Sequence, residues 1–131
     1  MTIFEYAFQT ERIYFKNVLA ENGYKCFTTF YSDLTLAECA EGKKGVEDTI
    51  KNVIKSWLND YKYFTEFIMA INMKSWEMVY RKKNNMPTPH GENVEELGKF
   101  YAEQYYALKD KFYEHYEGNE EACDYFFNTT D

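Results

Sequence analysis

The sequence predicts an all-α fold: one bundle of four to five helices occupying residues 1–131 as a single domain. Three observations predict it. Apolar residues recur at three- and four-residue spacing over two long stretches. The two prolines, Pro87 and Pro89, sit in one short segment, so both stretches are free of that helix breaker. The segment of most strand-like composition, Tyr24 to Tyr31, has no second such segment to pair with.

The first helix is predicted from about Ile3 to Ala20. Phe4, Phe8, Phe15, Val18 and Leu19 lie near one face, and Asn22-Gly23 is a good C-terminal stop. Tyr24 to Tyr31, lacking a partner strand, reads as extended chain or as the start of a helix. Thr35-x-x-Glu38 has the form of a capping box, and Ser32 competes with it as a cap. A short helix from there is expected to end near Ala40, at the glycines 42 and 45.

From Val46 onward Val46, Ile50, Val53, Ile54 and Trp57 keep helical spacing. Asn59-Asp60 reads as a brief break, with Asp60 capping the next helix. Tyr61, Phe64, Ile68 and Ile71 continue the period, and Phe67, Met69, Met73 and Trp76 fill in around it. A helix that is apolar on most of its circumference belongs in the middle of a fold. Arg81-Lys82-Lys83 falls at its end, where cations complement the helix dipole.

Asn84 to Gly91 is the clear loop. Asn93-x-x-Glu96 resembles a capping box and opens a long helix in which Val94, Leu97, Tyr101, Tyr105, Leu108, Phe112 and Tyr116 form the inward stripe. From Val94 to Glu117 that helix would reach about 36 Å. The short loop makes it an antiparallel neighbour of the central helix. Gly118 ends it, and Asn119 caps a last helix carrying Ala122, Phe126 and Phe127.

The core must be largely aromatic, because Phe, Tyr and Trp are 20% of the 131 residues and each can bury about 200 Å². The net charge of −7 is uneven: the balance is −2 over residues 1–60, +3 over 61–91 and −8 over 92–131. The acidic last third argues against a phosphate backbone or an anionic membrane as its partner. Hence no direct nucleic-acid binding is expected. The three cysteines, Cys26, Cys39 and Cys123, lack the spacing of a metal site or a disulfide framework. No signal peptide or bilayer-spanning run is apparent, which predicts a reducing, cytoplasmic setting. Asn128-Thr129-Thr130 matches a glycosylation sequon only formally.

The motif tests are negative. A carboxylate-bridged di-metal bundle needs Glu-x-x-His pairs, but Phe112 precedes His115 by three and Pro87 precedes His90 by three. His90-Gly91-Glu92 lacks the Pro-Cys-x-x-Cys partner of zinc deaminases. Gly42-Lys-Lys-Gly45 lacks the length and ending of a phosphate loop. A cysteine–histidine pair would require one of the three cysteines to meet His90 or His115 in a concave site. His115, among Glu114, Tyr116 and Glu117, reads as a surface histidine. No catalytic residue, metal ligand or cofactor is therefore assigned. Glu96, Glu103, Asp110 and Glu117, seven apart, form an acidic stripe that reads as a solvated face.

The run Thr28-Thr-Phe-Tyr-Ser-Asp-Leu-Thr-Leu-Ala-Glu38, then Gly45-Val-Glu-Asp-Thr49, Trp57 through Asn59, Tyr61-Lys-Tyr-Phe-Thr-Glu-Phe-Ile-Met69 and Lys74-Ser-Trp76 resembles a family of small helical proteins of gut Bacteroidetes and their phages or mobile elements. The tail Tyr125-Phe-Phe-Asn-Thr-Thr-Asp131 is similar too. The resemblance covers about residues 28–80 and the tail. It implies an all-helical fold and a mobile-element context, and no activity.

One positive signal is left. Tyr101, Tyr105, Tyr106, Tyr113 and Tyr116 are more than one helix face can bury; Tyr105 and Tyr106 point about 100° apart, as Trp76 and Tyr80 do from parts of the central stripe, and Trp76, Tyr80, Tyr101, Tyr105, Tyr106 and Tyr113 are the candidate surface. Surplus aromatics favour interfaces. The expected function is a non-enzymatic protein-interaction module that pairs with itself as a homo-oligomer. The alternative is an acidic inhibitor that mimics nucleic acid.

Overall fold

A computed structural model of the chain describes residues 25–130. Four helices fill most of that span: α1 (Lys25–Trp57), α2 (Tyr61–Lys83), α3 (Val94–His115) and α4 (Glu120–Thr130). Among the described residues there is no strand, and the helices pack in one all-α bundle. The helix expected from about Ile3 to Ala20 lies outside the described residues.

α1 is a hairpin of two helical segments. Gly42, at φ 64° and ψ −142°, breaks the helical path. Phe30 and Trp57 then meet edge to face at 6.2 Å, whereas an unbroken helix would hold them about 40 Å apart. The chain therefore doubles back at the glycine. The expected stop near Gly42 is correct, and of the two readings of Tyr24 to Tyr31 the helical one holds over the described residues, but the expected caps do not. Residues 25–31 are helical, and neither Ser32 nor Thr35 caps anything at its proposed position, because both lie inside the helix. Thr35 Oγ1 instead donates to Tyr31 O at 3.0 Å, one turn back. Tertiary burial of Phe27 and Phe30 prevails over their local strand propensity.

Both halves of α1 are capped by distant carboxylates. Phe27 N donates to Glu66 Oε1 at 3.2 Å, and Lys43 N donates to Glu92 Oε2 at 2.9 Å. Unpaired N–H groups and the positive end of the helix dipole favour an anion at each place. A side chain at position 42 would disturb the second cap. A Cβ there would lie 3.0 Å from Glu92 Oε1 and 3.1 Å from His90 Nδ1, at a φ that L-residues rarely adopt. Gly42→Ala should therefore cost about 1–3 kcal/mol in urea unfolding followed by circular dichroism. Gly91→Ala, also at positive φ but with open space around it, should cost less.

The remaining boundaries rest on local capping. Asp60 accepts from Tyr63 N at 3.2 Å to begin α2, Asn93 from Glu96 N at 3.0 Å to begin α3, and Asn119 from Ala122 N at 3.1 Å to begin α4. α2 is the central element, with every residue from Phe64 to Lys74 buried. It lies antiparallel to α3, as successive contacts show. Lys82 pairs with Glu95, Gly98 lies against Met78, Phe64 stacks on Phe112, and Tyr61 meets Tyr116. The predicted inward stripe of α3 is buried from Leu97 to Tyr116. α4 closes one end of the bundle. Phe126 stacks on Phe112 at 4.3 Å, and Tyr61 Oη donates to Glu121 at 2.9 Å. Phe127, next along the helix, faces solvent and is 59% exposed.

Candidate functional site: a buried charge cluster and an exposed aromatic stripe

Two features stand out from the helical scaffold. The first is a group of charges in the core. Lys74, on the central helix, has a fully buried side chain, as does Glu38 of α1. The Lys74 ammonium donates to Glu77 Oε2 at 2.9 Å and to Thr35 Oγ1 at 3.2 Å, and it forms an ion pair with Glu38 Oε2 at 3.1 Å. Tyr101 of α3 donates to Glu38 Oε2 at 2.6 Å, and Tyr31 of α1 donates to Glu77. Arg81 completes the set: its Nε donates to Glu77 Oε2 at 3.0 Å and one terminal nitrogen to Pro87 O at 2.8 Å. The rings of Tyr31 and Tyr101 lie 5.2 and 5.8 Å from the ammonium, close enough for cation–π attraction. Two carboxylates, two cations and two phenols thus join α1, α2 and α3. Glu38 Oε1 is buried with no hydrogen-bond partner among the described residues.

The environment shifts these groups in opposite directions. Burial, then the neighbouring carboxylates Glu77 and Glu38 respectively, push the Tyr31 and Tyr101 phenols far above the usual tyrosine range. They therefore remain hydrogen-bond donors. Burial pushes the Glu77 carboxyl up, but Lys74, Tyr31 and Arg81 together reverse this and hold it below the usual range. A carboxyl whose pKa is depressed on folding stabilises the fold above its unfolded pKa, about 4.3. That contribution is lost as pH falls through the folded value. Glu66 has the opposite sign: burial raises it despite backbone N–H bonds from Phe27 and Cys26, so its protonation favours the folded state. Acid stability measured below about pH 4.3 should therefore fall more gently in Glu77→Gln than in the parent chain. Acid titration of the urea midpoint measures this difference, and equal slopes would remove Glu77 from the account.

The surface clefts between α2 and α3, and those beside the 84–93 loop, are not lined by Glu38, Lys74 or Glu77. Glu38, Lys74 and Glu77 are buried, Arg81 reaches the cleft beside the 84–93 loop, and together they tie α1 to α2. The cysteines and histidines have separate partners. Cys123 Sγ is directed to Tyr116 O at 3.3 Å, His115 Nε2 lies 2.9 Å from Asn59 Oδ1, and His90 lies beside Gly42. Among the described residues no group of three His, Cys, Asp or Glu side chains is placed to hold a metal ion, and no helix is long and apolar enough to cross a membrane.

The second feature is on the surface. Of the six aromatic residues singled out from the sequence, Tyr101 and Tyr105 belong to the core, Trp76 and Tyr80 are half-buried, and Tyr106 and Tyr113 are exposed. The expected surface is thus narrower than the six: Tyr101 and Tyr105 are withdrawn from it because they lie on the inward stripe of α3, where the Tyr101 hydroxyl reaches the buried Glu38 carboxylate. Two clefts run along the seam between α2 and α3 and share Ser75, Val79 and Ala102. One holds about 220 Å³ beside Trp76 and Tyr106; the other holds about 300 Å³ over Met78, Val94 and Gly98. Small residues at 98 and 102 create the hollow. Lys82, Lys99 and Lys109 stand along the clefts with one acid, Glu95.

No protein-family model, curated protein or solved structure matches the chain. The functional reading therefore rests on the residues themselves.

Lys74 and its carboxylates escape a reading of motifs, although the sequence does carry a signal for them. A helix apolar on most sides leaves Glu66, Lys74 and Glu77 no polar face to occupy. Charges in such a helix are buried, and buried charges are paired.

Proposed function

We propose that the protein is a non-enzymatic protein-interaction module that associates with itself, in a reducing cytoplasmic setting. The observation that carries this reading is the apolar exposure beside the α2–α3 seam: Tyr106 is 63% and Val79 46% exposed, next to a hollow lined by Gly98 and Ala102. An exposed aromatic next to a concave, mostly small-residue surface is the composition of an interface centre. The buried charge cluster supports the same reading indirectly, since it spends the polar chemistry of the core on holding three helices in register.

Light scattering on the eluting protein tests it. A dimer mass at both low and high salt is expected, because aromatic contact is not screened by ions. A monomer at every concentration would overturn the reading.

Nucleic-acid mimicry is the weaker alternative. Glu96, Glu103, Asp110 and Glu117 are all exposed on or just beyond α3, which favours it. Their spacing does not: residues seven apart on a helix are about 10.5 Å apart, whereas one nucleic-acid strand carries a charge about every 3.4 Å. Exposed Lys99 and Lys111 also interrupt the acidic surface.

A further inference from the structure

We propose that the outer face of α4, together with the C-terminal end of α3, docks a basic amphipathic segment of another protein. The inference goes beyond self-association and does not rest on it. Glu120, Asp124 and Phe127 are exposed at four- and three-residue spacing, so they share one face of α4. Asp110, Tyr113 and Glu114 are exposed in the same way on α3. Tyr113 meets Phe126 edge to face at 5.2 Å, which sets the two faces side by side. Phe127 thus stands uncovered among carboxylates, at the other end of α3 from the cleft over Gly98.

The charge of this face chooses the occupant. From Phe112 to Asp131 the chain holds six acidic side chains and no Lys or Arg. Among the described residues none of Asp110, Glu114, Glu120 and Asp124 takes part in an ion pair. The neighbouring bases are turned elsewhere. Lys62 lies over the Tyr125 ring at 5.7 Å and Lys109 over the Tyr105 ring at 5.2 Å, and Lys111 points about 100° around α3 from Asp110. Glu114 also stands in the last turn of α3, where the helix dipole favours a cation. Local stability does not account for an acid there, whereas an incoming cation does. An exposed ring among unpaired carboxylates is complementary to apolar side chains flanked by Lys and Arg. Nucleic acid and anionic membranes have the wrong sign. A second copy does not supply the cations either: beside its α2–α3 cleft Lys82 is paired with Glu95, and Glu96 and Glu103 are exposed next to Lys99.

A fluorescein-labelled helical peptide of leucine and lysine, with its leucines on one face, serves as the probe, and its anisotropy is measured against the whole chain. It should bind at about 50 mM salt and lose at least about tenfold in affinity by about 300 mM. Phe127→Ala should weaken binding at least about tenfold, and so should Glu120→Gln with Asp124→Asn. Glu96→Gln with Glu103→Gln removes the same charge from the far part of α3 and should change binding less than about twofold, because it leaves this face intact. All these positions are exposed, so the circular dichroism spectrum should not change. Three results overturn the proposal: no binding at low salt, equal losses in the two charge variants, or indifference to Phe127→Ala. A dimer that weakens in Phe127→Ala also overturns it, by putting a second copy on this face. Light scattering reads self-association separately, so either conclusion can fail while the other stands.

Discussion

Lys74→Ala should lower the unfolding free energy by about 3–5 kcal/mol, a large part of the roughly 5–15 kcal/mol that holds a domain of this kind together. The loss does not come chiefly from a missing attraction. Removing the ammonium leaves Glu38, at 0% exposure, without its cation, while Glu77 keeps Arg81, and an uncompensated buried charge is costly. A combined variant, Lys74→Met with Glu38→Gln and Glu77→Gln, should regain most of the loss, because neutral amides still accept from Tyr31 and Tyr101. Urea unfolding measured on all three proteins tests this. If Lys74→Ala cost less than about 1 kcal/mol, the ordinary scale of a surface pair, water would be reaching the cluster and it would not tie α1 to α2.

Phe112→Ala should cost about 3–5 kcal/mol. Its ring is fully buried where three helices meet: Phe126 of α4 lies at 4.3 Å, Phe64 of α2 at 6.4 Å, and Tyr113, next to it on α3, at 6.0 Å. Tyr116, 4.6 Å away, donates to Leu58 O in the turn before α2. Truncation leaves a cavity where α4 is held, so hydrogen exchange should accelerate in α4 before the rest of the bundle. Phe127→Ala, at the exposed neighbour, should stay within about 0.5 kcal/mol of the parent in the same unfolding experiment. The contrast separates core from surface on α4. Equal effects at 112 and 127 would mean that α4 is not packed through Phe112.

Much of this fold is legible in the residue pattern. Asp60, Asn93 and Asn119 act as the caps their chemistry suggests, because a cap bonds to an N–H only two or three residues ahead. The stripe from Leu97 to Tyr116 is buried as its period requires, and the run from Phe64 to Met73 is central because it has no polar side to turn outward. The start of α1 is different. Ser32 and Thr35 have the local chemistry of caps, yet the anions that serve the two halves of α1 are Glu66 and Glu92, from α2 and from the loop before α3. No pattern of neighbours along the chain points to them.

The candidate surface divides in the same way. Tyr105 and Tyr106 must point in different directions on any helix, so one of them had to leave the core, and Tyr106 did. Tyr101 turns inward with the rest of its stripe, as the period requires; what the sequence does not give is that Glu38, 63 residues away, receives its hydroxyl. The helices α2 to α4, their three caps, the loop between α2 and α3 and the apolar faces are written in the order of residues, since all of these depend on period and on contacts within a turn. The hairpin at Gly42, the long-range caps and the burial of Lys74 between two carboxylates arise only when the helices pack. Each of them depends on which distant side chain arrives, and hydrophobic burial, being non-directional, brings those side chains together without leaving a local mark.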